Sequence, residues 1–159
     1  MLMEPQTRIS GRALKVWRIH GALNSIFALL ILGGILTLAI IFEWPVWIMA
    51  IAVIAMGSYT YVFILVMPKL KWKRWRYEVR ESEIELQHGV IFTRRTLIPM
   101  IRVQHVDTNQ GPLLKKYNLA TVAISTAATT HEIPALDIEE AEELRFKIGK
   151  LARVADEDV

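Results

Sequence analysis

Histidine and acidic side chains in the C-terminal half are the residues whose chemistry could support catalysis or metal binding. His105 and Asp107 lie two residues apart, so they would share one face of a strand, and His131 adjoins Glu132 near a turn. A catalytic or metal site needs several such groups to converge, and a lone histidine on a strand is more often a hydrogen-bonded structural residue. The sequence contains no cysteine and no GxSxG, HExxH or Walker pattern. We therefore expect neither catalysis nor a cofactor, with a metal set of His105, Asp107 and His131 as the minor alternative.

Basic side chains offer a second chemistry, the binding of anionic groups. Between positions 69 and 80 the chain has six basic residues against one acidic residue, whereas nine stand against thirteen from position 81 onward. A nucleic-acid-binding domain would spread its cations over the folded surface, so we exclude that class. The cations instead form a basic collar that includes two tryptophans and comprises Lys69, Lys71, Trp72, Lys73, Arg74, Trp75 and Arg76.

The basic collar has two interpretations that the sequence leaves open. It is either a topology and anchoring signal, which any protein of this kind needs, or a binding site for anionic lipid headgroups. In the second case, further cations of the domain would contribute to the site, namely Arg94, Arg95, Lys115 and Lys116.

Two long apolar runs precede the basic collar, at residues 22–42 and 45–67. Neither contains an ionisable residue, and as helices they would measure roughly 31 to 34 Å, enough to cross a hydrocarbon core about 30 Å thick. All five tryptophans lie at the ends of these runs, where the indole ring favours the membrane–water boundary. The sequence thus predicts two transmembrane helices and not a cleaved signal peptide.

The expected topology follows from the short connection between the runs and from the charges around them. The turn from Glu43 to Pro45 makes the two spans an antiparallel hairpin with both ends on one side of the membrane. Basic residues flank the hairpin on that side, so the positive-inside rule predicts that residues 1–21 and residues 68–159 are both cytoplasmic. The first of these segments is expected to be juxtamembrane and the second to be the folded domain.

Two finer expectations concern residue spacing in and before the hairpin. Basic residues recur every three or four positions ahead of the first span, so a helix there would lie on the inner leaflet; they are Arg8, Arg12, Lys15 and Arg18. Small residues in the two spans would permit close helix contact, either within the hairpin or with another membrane protein. These are Gly33, Gly34, Thr37, Ala52, Ala55 and Gly57.

The remaining residues have mostly the pattern of strands and are numerous enough for one small domain. Alternation of apolar and polar side chains predicts a strand around Tyr77 and Val79 and further strands at 83–88, 90–98, 101–106, 119–126 and 130–133. Gly89 would lie in the turn of a hairpin formed by the strands at 83–88 and 90–98, and Asn118 would adopt a left-handed conformation. From Asp137 the period becomes that of a helix, which Asp137 and Glu140 would cap and whose apolar stripe would cover the sheet.

Short motifs in this region resemble the second type of bacterial pleckstrin-homology-like (PH-like) domain. They begin with Pro99, Arg102, Gln104, Gln110, Gly111, Pro112 and Leu113, and continue with Asn118-Leu119-Ala120, Ser125-Thr126-Ala127, Ile133-Pro134 and residues 141–145. A two-span hairpin ahead of one such domain is similar to the small YdbS-like bacterial membrane proteins. The resemblance implies a strongly bent antiparallel sheet closed by a C-terminal helix, and it implies no reaction. Asn118 and Ala128 stand where that family commonly has glycine.

The expected fold class is therefore a transmembrane helical hairpin followed by a β-rich PH-like domain with one C-terminal helix. Its first candidate function is that of a non-catalytic module at the cytoplasmic face of the cell membrane that assembles with a partner membrane protein. The resemblance suggests a partner with further PH-like domains, in a stress or antimicrobial-resistance system. The alternative is sensing of anionic lipid headgroups by the domain. We expect no nucleic-acid partner.

Overall fold

The computed structural model describes residues 5–157, which divide into two compact units. Residues 14–70 form a helical hairpin unit. Residues 5–13 join residues 71–157 in a second, β-rich unit, so this unit is built from chain on both sides of the hairpin.

The hairpin unit contains the two long helical stretches that the apolar runs predict. The first is α1 (Ala13–Ile41), and the second is made of α2 (Val46–Tyr61), a π-helical turn (Val62–Val66) and α3 (Met67–Arg74). Each stretch has 29 residues, which is long and apolar enough to cross a membrane. Both extend beyond the apolar runs at their polar ends, and α3 therefore carries most of the basic collar in helical form.

Close helix contact within the hairpin unit occurs at Gly21 and not at the three glycines among the predicted small residues. A Cβ atom at Gly21 would stand 2.6 Å from the carbonyl oxygen of Phe63, so only glycine fits there. At Gly33, Gly34 and Gly57, by contrast, a Cβ atom would meet nothing within 4 Å. The expectation of close packing at these three glycines inside the hairpin is therefore wrong, and their contact with another membrane protein stays a prediction.

The β-rich unit contains two antiparallel sheets. The first has the order β1-β2-β3-β4, formed by β1 (Thr7–Arg8), β2 (Arg76–Val79), β3 (Glu83–His88) and β4 (Arg94–Pro99). The second has the order β5-β6-β7, formed by β5 (Val103–Asn109), β6 (Leu119–Thr126) and β7 (Thr130–Asp137). The resemblance implied one strongly bent sheet. The structure instead has two separate sheets, because a 3-10 turn (Met100–Arg102) lies between β4 and β5.

The segment ahead of the hairpin is a strand where a membrane-surface helix was expected. Thr7 pairs with Tyr77 and Arg8 with Arg76, while Ile9 is buried. Arg8 and Arg12 therefore precede α1, and only Lys15 and Arg18 of the four expected basic residues lie in that helix. The helix prediction was wrong for this segment because its pairing partner lies on the far side of the hairpin in sequence.

The C-terminal helix α5 (Ile138–Glu157) covers the sheets with an apolar stripe, as predicted. Ala141, Leu144 and Ile148 are buried along it. The two carboxylates expected to cap this helix have other partners: Asp137 accepts a hydrogen bond from the Ser10 hydroxyl at 3.1 Å, and Glu140 accepts one from the Tyr77 hydroxyl at 2.7 Å. The capping-box prediction was therefore wrong, and both residues instead tie α5 and β7 to other parts of the unit.

Two residues of the second sheet region have positive φ: Asn118, which precedes β6, and Ala135, within β7. Asn118 has the predicted left-handed conformation, with φ of 53°, between the short helix α4 (Pro112–Lys116) and β6. Strand β7 continues past Pro134 to Asp137, further than the sequence pattern indicated. Pro134 lacks the N–H that a ladder needs, and the strand absorbs it in an irregularity at Ala135, whose φ is 52°.

Candidate functional site

The basic collar lies at the end of α3 and the start of β2. Lys69, Lys71, Lys73 and Arg74 are exposed on α3, and Arg76 opens β2. Trp72 is half-buried, and its indole N–H donates to the carbonyl oxygens of Ile9 at 3.3 Å and Ser10 at 3.2 Å. The Arg8 guanidinium lies over the same ring, 5.8 Å from its centroid. Trp72 thus holds the N-terminal segment to the β-rich unit.

Trp75 differs from the other collar residues because its ring is inside the β-rich unit. It is 5 % exposed, and it stacks on the His88 ring with centroids 5.8 Å apart. A side chain so placed cannot contact lipid headgroups, which removes Trp75 from any membrane-facing surface. His88 is thereby held against the side chain of Trp75.

His88 lies at the neck of the β3–β4 hairpin, in register with Arg94. Burial lowers the pKa of the His88 imidazole below its usual 6.5, and the positive charges of Arg94, Lys71 and His131 lower this pKa further. The imidazole is therefore held towards its neutral form in a basic environment.

The family-motif residues after β5 are structural. Gln110 donates from Nε2 to the Leu119 carbonyl oxygen at 2.9 Å, which fixes the end of β5 to the start of β6. Gly111 accepts from the Lys115 N–H at 2.9 Å, and Pro112 begins α4, where its missing N–H costs nothing, ahead of Leu113. Pro99, the last residue of β4, precedes the 3-10 turn. These positions shape the turn between β5 and β6.

Arg102 and Gln104 are the family-motif residues that line a surface groove. Both are exposed and line a groove of about 350 Å³ with Ile101 and the β6–β7 turn. Gln104 occupies the irregular position in the β5–β6 register, where Val103 pairs with Thr126 and His105 with the next residue, Ser125. Gln104 is thus the extra residue of a β-bulge, a feature that redirects a side chain and is common beside functional sites.

A larger open groove of about 790 Å³ adjoins the first and runs between β5 and α5. Four consecutive residues of β5 line it, from Val103 to Val106. In the described chain β5 is an edge strand of the second sheet, so the groove follows a strand edge that pairs with no other described strand. The opposite wall is α5, with the cations Arg145 and Arg153. This β5 groove, an open strand edge beside apolar and basic side chains, is the strongest candidate site for a binding partner.

The candidate metal and acid–base residues do not converge. His105 pairs with Ser125 of β6, whereas His131 pairs with the adjacent Ile124, so the two histidines project from opposite faces of their sheet. Asp107 and Glu132 flank Ala123 from β5 and β7, with the whole width of β6 between them. Among residues 5–157 no group of three or more potential ligands is close enough to hold a metal ion.

Two further features were not foreseen from the sequence. Glu85 is buried in the middle of β3, where its carboxylate accepts from Arg95 Nε at 2.9 Å and from Arg80 Nη2 at 3.3 Å. Ile91 and Phe92, at the tip of the β3–β4 hairpin, are 76 % and 87 % exposed. The apolar run from Val90 to Phe92 was expected to begin the next strand, whereas β4 begins only at Arg94 and the run forms the tip. The alternating pattern of β3 gave no signal for Glu85.

Comparison with known proteins assigns this architecture to a class. The sequence profile described as "Bacterial PH domain" matches residues 22–152, and the chain belongs to this family of bacterial PH-domain membrane proteins. The chain is 53 % identical over 161 aligned residues to the UPF0699 transmembrane protein YdbS of Bacillus subtilis (strain 168), with both chains covered completely. The resemblance stated from the motifs, the fold class and the membrane location are thereby confirmed.

A second relative is longer. Over 101 residues the chain is 26 % identical to the UPF0699 transmembrane protein YdbT of the same strain, a match that covers 61 % of this chain and 20 % of YdbT. No solved structure gives a significant match.

Proposed function

We propose that this protein is a non-catalytic module that assembles with a partner membrane protein through the β5 groove, at the cytoplasmic face of the cell membrane. The observation that carries the proposal is the exposed outer edge of β5, which is bulged at Gln104 and bordered by α5. A free strand edge supplies unpaired backbone donors and acceptors, and adjoining side chains supply specificity, which is the basis of recognition by strand addition.

The composition of the β5 groove favours a protein occupant. Its apolar wall is formed by Ile101, Val103 and Val106, and Ile101 is 51 % exposed. Arg145 and Arg153 on α5 add positive charge, although Arg145 is also paired with Glu142 at 2.6 Å. An extended segment with alternating apolar and acidic side chains would complement such a groove.

The choice of partner rests on the recurrence of this domain in a longer protein. The match to YdbT covers only 20 % of that protein, so a UPF0699 protein of that kind has ample chain for additional domains. A partner with related PH-like domains would offer exposed strand edges of the same type. The proposed setting in a stress or antimicrobial-resistance system follows from the family resemblance alone.

Cytoplasmic placement of the β-rich unit is part of the proposal. Residues 5–13 and residues 71–157 fold together, so the chain segments before and after the hairpin must lie on the same side of the membrane. The cations of the basic collar and of Arg8, Arg12, Lys15 and Arg18 favour the cytoplasm for that side.

Site-specific photo-crosslinking in intact membranes tests the assembly role. A photoreactive amino acid at His105, which lines the β5 groove, should form adducts with a membrane protein that mass spectrometry identifies as carrying a PH-like domain. The matched control is the same residue at Lys147, which is exposed on α5 and outside the groove. Gln104→Ala should reduce the His105 adduct several-fold and leave the control unchanged.

Two results would contradict the assembly role. One is an equal yield of adducts at positions 105 and 147, which would mean that the groove is not selective. The other is capture of lipid alone at position 105, which would favour the second candidate function, contact of the domain with anionic headgroups. That alternative is supported by the exposed cations Lys71, Lys73 and Arg74 of the basic collar, and Lys115 and Lys116 would extend it.

A further inference from the structure

The tip of the β3–β4 hairpin, residues 89–93, exposes apolar surface that no part of the described chain covers. Phe92 and Ile91 are the two most exposed large apolar side chains within residues 5–157, at 87 % and 76 %. Side chains of this size in full contact with water are unfavourable unless another surface receives them.

The tip has a defined shape that depends on Gly89. This residue has φ of 124°, a conformation that other residues rarely adopt, and a Cβ atom there would overlap the Phe92 carbonyl oxygen. The chain therefore folds back on Gly89 and projects the side chains between it and Arg94. Ile91 and Phe92 therefore lie in a loop of defined conformation.

Basic residues lie directly behind the tip. Arg94 is in register with His88, Arg76 with Gln87, and Arg8 with Arg76, so β1, β2 and β4 each place an arginine at this end of the first sheet. Residues 89–95 contain no acidic residue. An apolar tip backed by cations complements the boundary of an anionic bilayer, where acyl chains meet negative headgroups.

The direction of the strands places this tip at the end of the first sheet where β2 begins. The chain enters the first sheet at Arg76, one residue after Trp75 and directly beyond α3. β2 runs away from that entry and β3 returns antiparallel to it, with Gln87 opposite Arg76. The β3–β4 tip therefore extends from the same end of the sheet at which the chain arrives from the apolar helix.

We propose that Ile91 and Phe92 insert into the interface of an anionic leaflet, with Arg94 and Arg76 at headgroup level, and so fix the β-rich unit on the membrane surface. This inference concerns a different surface from the β5 groove and does not depend on the assembly role. It adds an apolar anchor to a region in which the sequence pointed only to cations.

The absence of cysteine permits a direct test with single labelled positions in the full chain. Phe92→Cys carries an environment-sensitive fluorophore in proteoliposomes that contain phosphatidylglycerol. The matched control is Glu81→Cys, which is exposed in the turn at the opposite end of the same sheet. Quenching by lipids spin-labelled in the acyl chain does not depend on the orientation of the protein in the vesicle, because both leaflets contain the quencher.

Insertion predicts a blue-shifted emission at position 92 and several-fold stronger acyl-chain quenching there than at position 81. Arg94→Glu, or vesicles of phosphatidylcholine alone, should weaken the quenching at position 92. Equal quenching at positions 92 and 81, or full access of aqueous iodide to position 92, would overturn the proposal. Phe92 is 87 % exposed, so its replacement should leave the fold intact. Ile91→Cys is a second labelled site with the same expected result. No partner protein is present in these vesicles, so a failure here leaves the assembly role untouched.

Discussion

The indole N–H of Trp72 donates a hydrogen bond of 3.2 Å to the carbonyl oxygen of Ser10, which lies 62 residues earlier in the chain. The whole transmembrane hairpin lies between these two residues in sequence. A second bond joins the same N–H to the Ile9 carbonyl at 3.3 Å, and β1 pairs with β2 alongside. In sequence, the hairpin is therefore inserted between two segments that fold together.

Trp72→Phe should destabilise the β-rich unit by about 1 kcal/mol, because the aromatic packing is retained while the hydrogen bonds to two part-buried carbonyls are lost. Urea titration of the detergent-solubilised full chain, followed by circular dichroism, measures this change. Trp44→Phe is the control, since Trp44 is 49 % exposed at the hairpin turn. Equal unfolding midpoints for the two variants would show that the tie to Ser10 contributes nothing.

Glu85→Ala should lower the free energy of unfolding by about 2 kcal/mol, a typical value for losing hydrogen bonds to a charged group. Its carboxylate is 10 % exposed and accepts hydrogen bonds from both Nε and Nη2 of Arg95, and its removal takes these two bonds away. The same titration applies, with exposed Glu81→Ala as the control expected to change little. A Glu85 variant as stable as the Glu81 variant would refute the structural role of this pair.

Asn118→Ala should destabilise the β-rich unit by about 1 kcal/mol, because alanine tolerates the left-handed conformation poorly, whereas Asn118→Gly should be neutral or slightly stabilising. Asn118 is exposed, so neither change removes buried surface. The two variants differ only in the need for a Cβ at φ of 53°. Identical stability of the alanine and glycine variants would contradict the assigned conformation.

The pKa of His88 should lie below 6.5, chiefly because of burial and then because of Arg94. Between the folded-state pKa and 6.5 the unfolded chain binds more protons, so stability is complete above 6.5 and falls as the pH is lowered towards the folded-state pKa. NMR titration of the histidine ring protons measures this, with His88→Gln for assignment. Arg94→Gln should raise the His88 pKa; a pKa at or above 6.5 in the unmodified protein would contradict the stacked, part-buried ring.

Features encoded by local pattern could be predicted from the sequence. β6 spans residues 119–126, the same range in which alternation predicted a strand, Asn118 has the expected left-handed conformation, and α5 presents its apolar stripe to the sheets. Each depends on neighbouring residues alone. The two membrane helices could be predicted equally well, because a charge-free apolar run of this length is typical of a membrane span.

Features that depend on distant pairing could not be predicted in this way. β1 is two residues long and is specified by its pairing with Arg76 and Tyr77 across the hairpin. Asp137 and Glu140 had the spacing of a helix cap, but Ser10 and Tyr77 bind their carboxylates. At the candidate site, the motifs pointed to Gln104, whereas its groove also needs Arg145 and Arg153 from α5, which only the packing of that helix brings to β5.

The proposed function requires a transmembrane topology with the hairpin turn outside and both flanking segments folded together in the cytoplasm. Single cysteines at Glu43, in the turn, and at Glu139, exposed on α5, test it in intact cells with a membrane-impermeant maleimide. We predict labelling of position 43 in intact cells and of position 139 only after permeabilisation. Labelling of position 139 from outside, with position 43 protected, would contradict this topology.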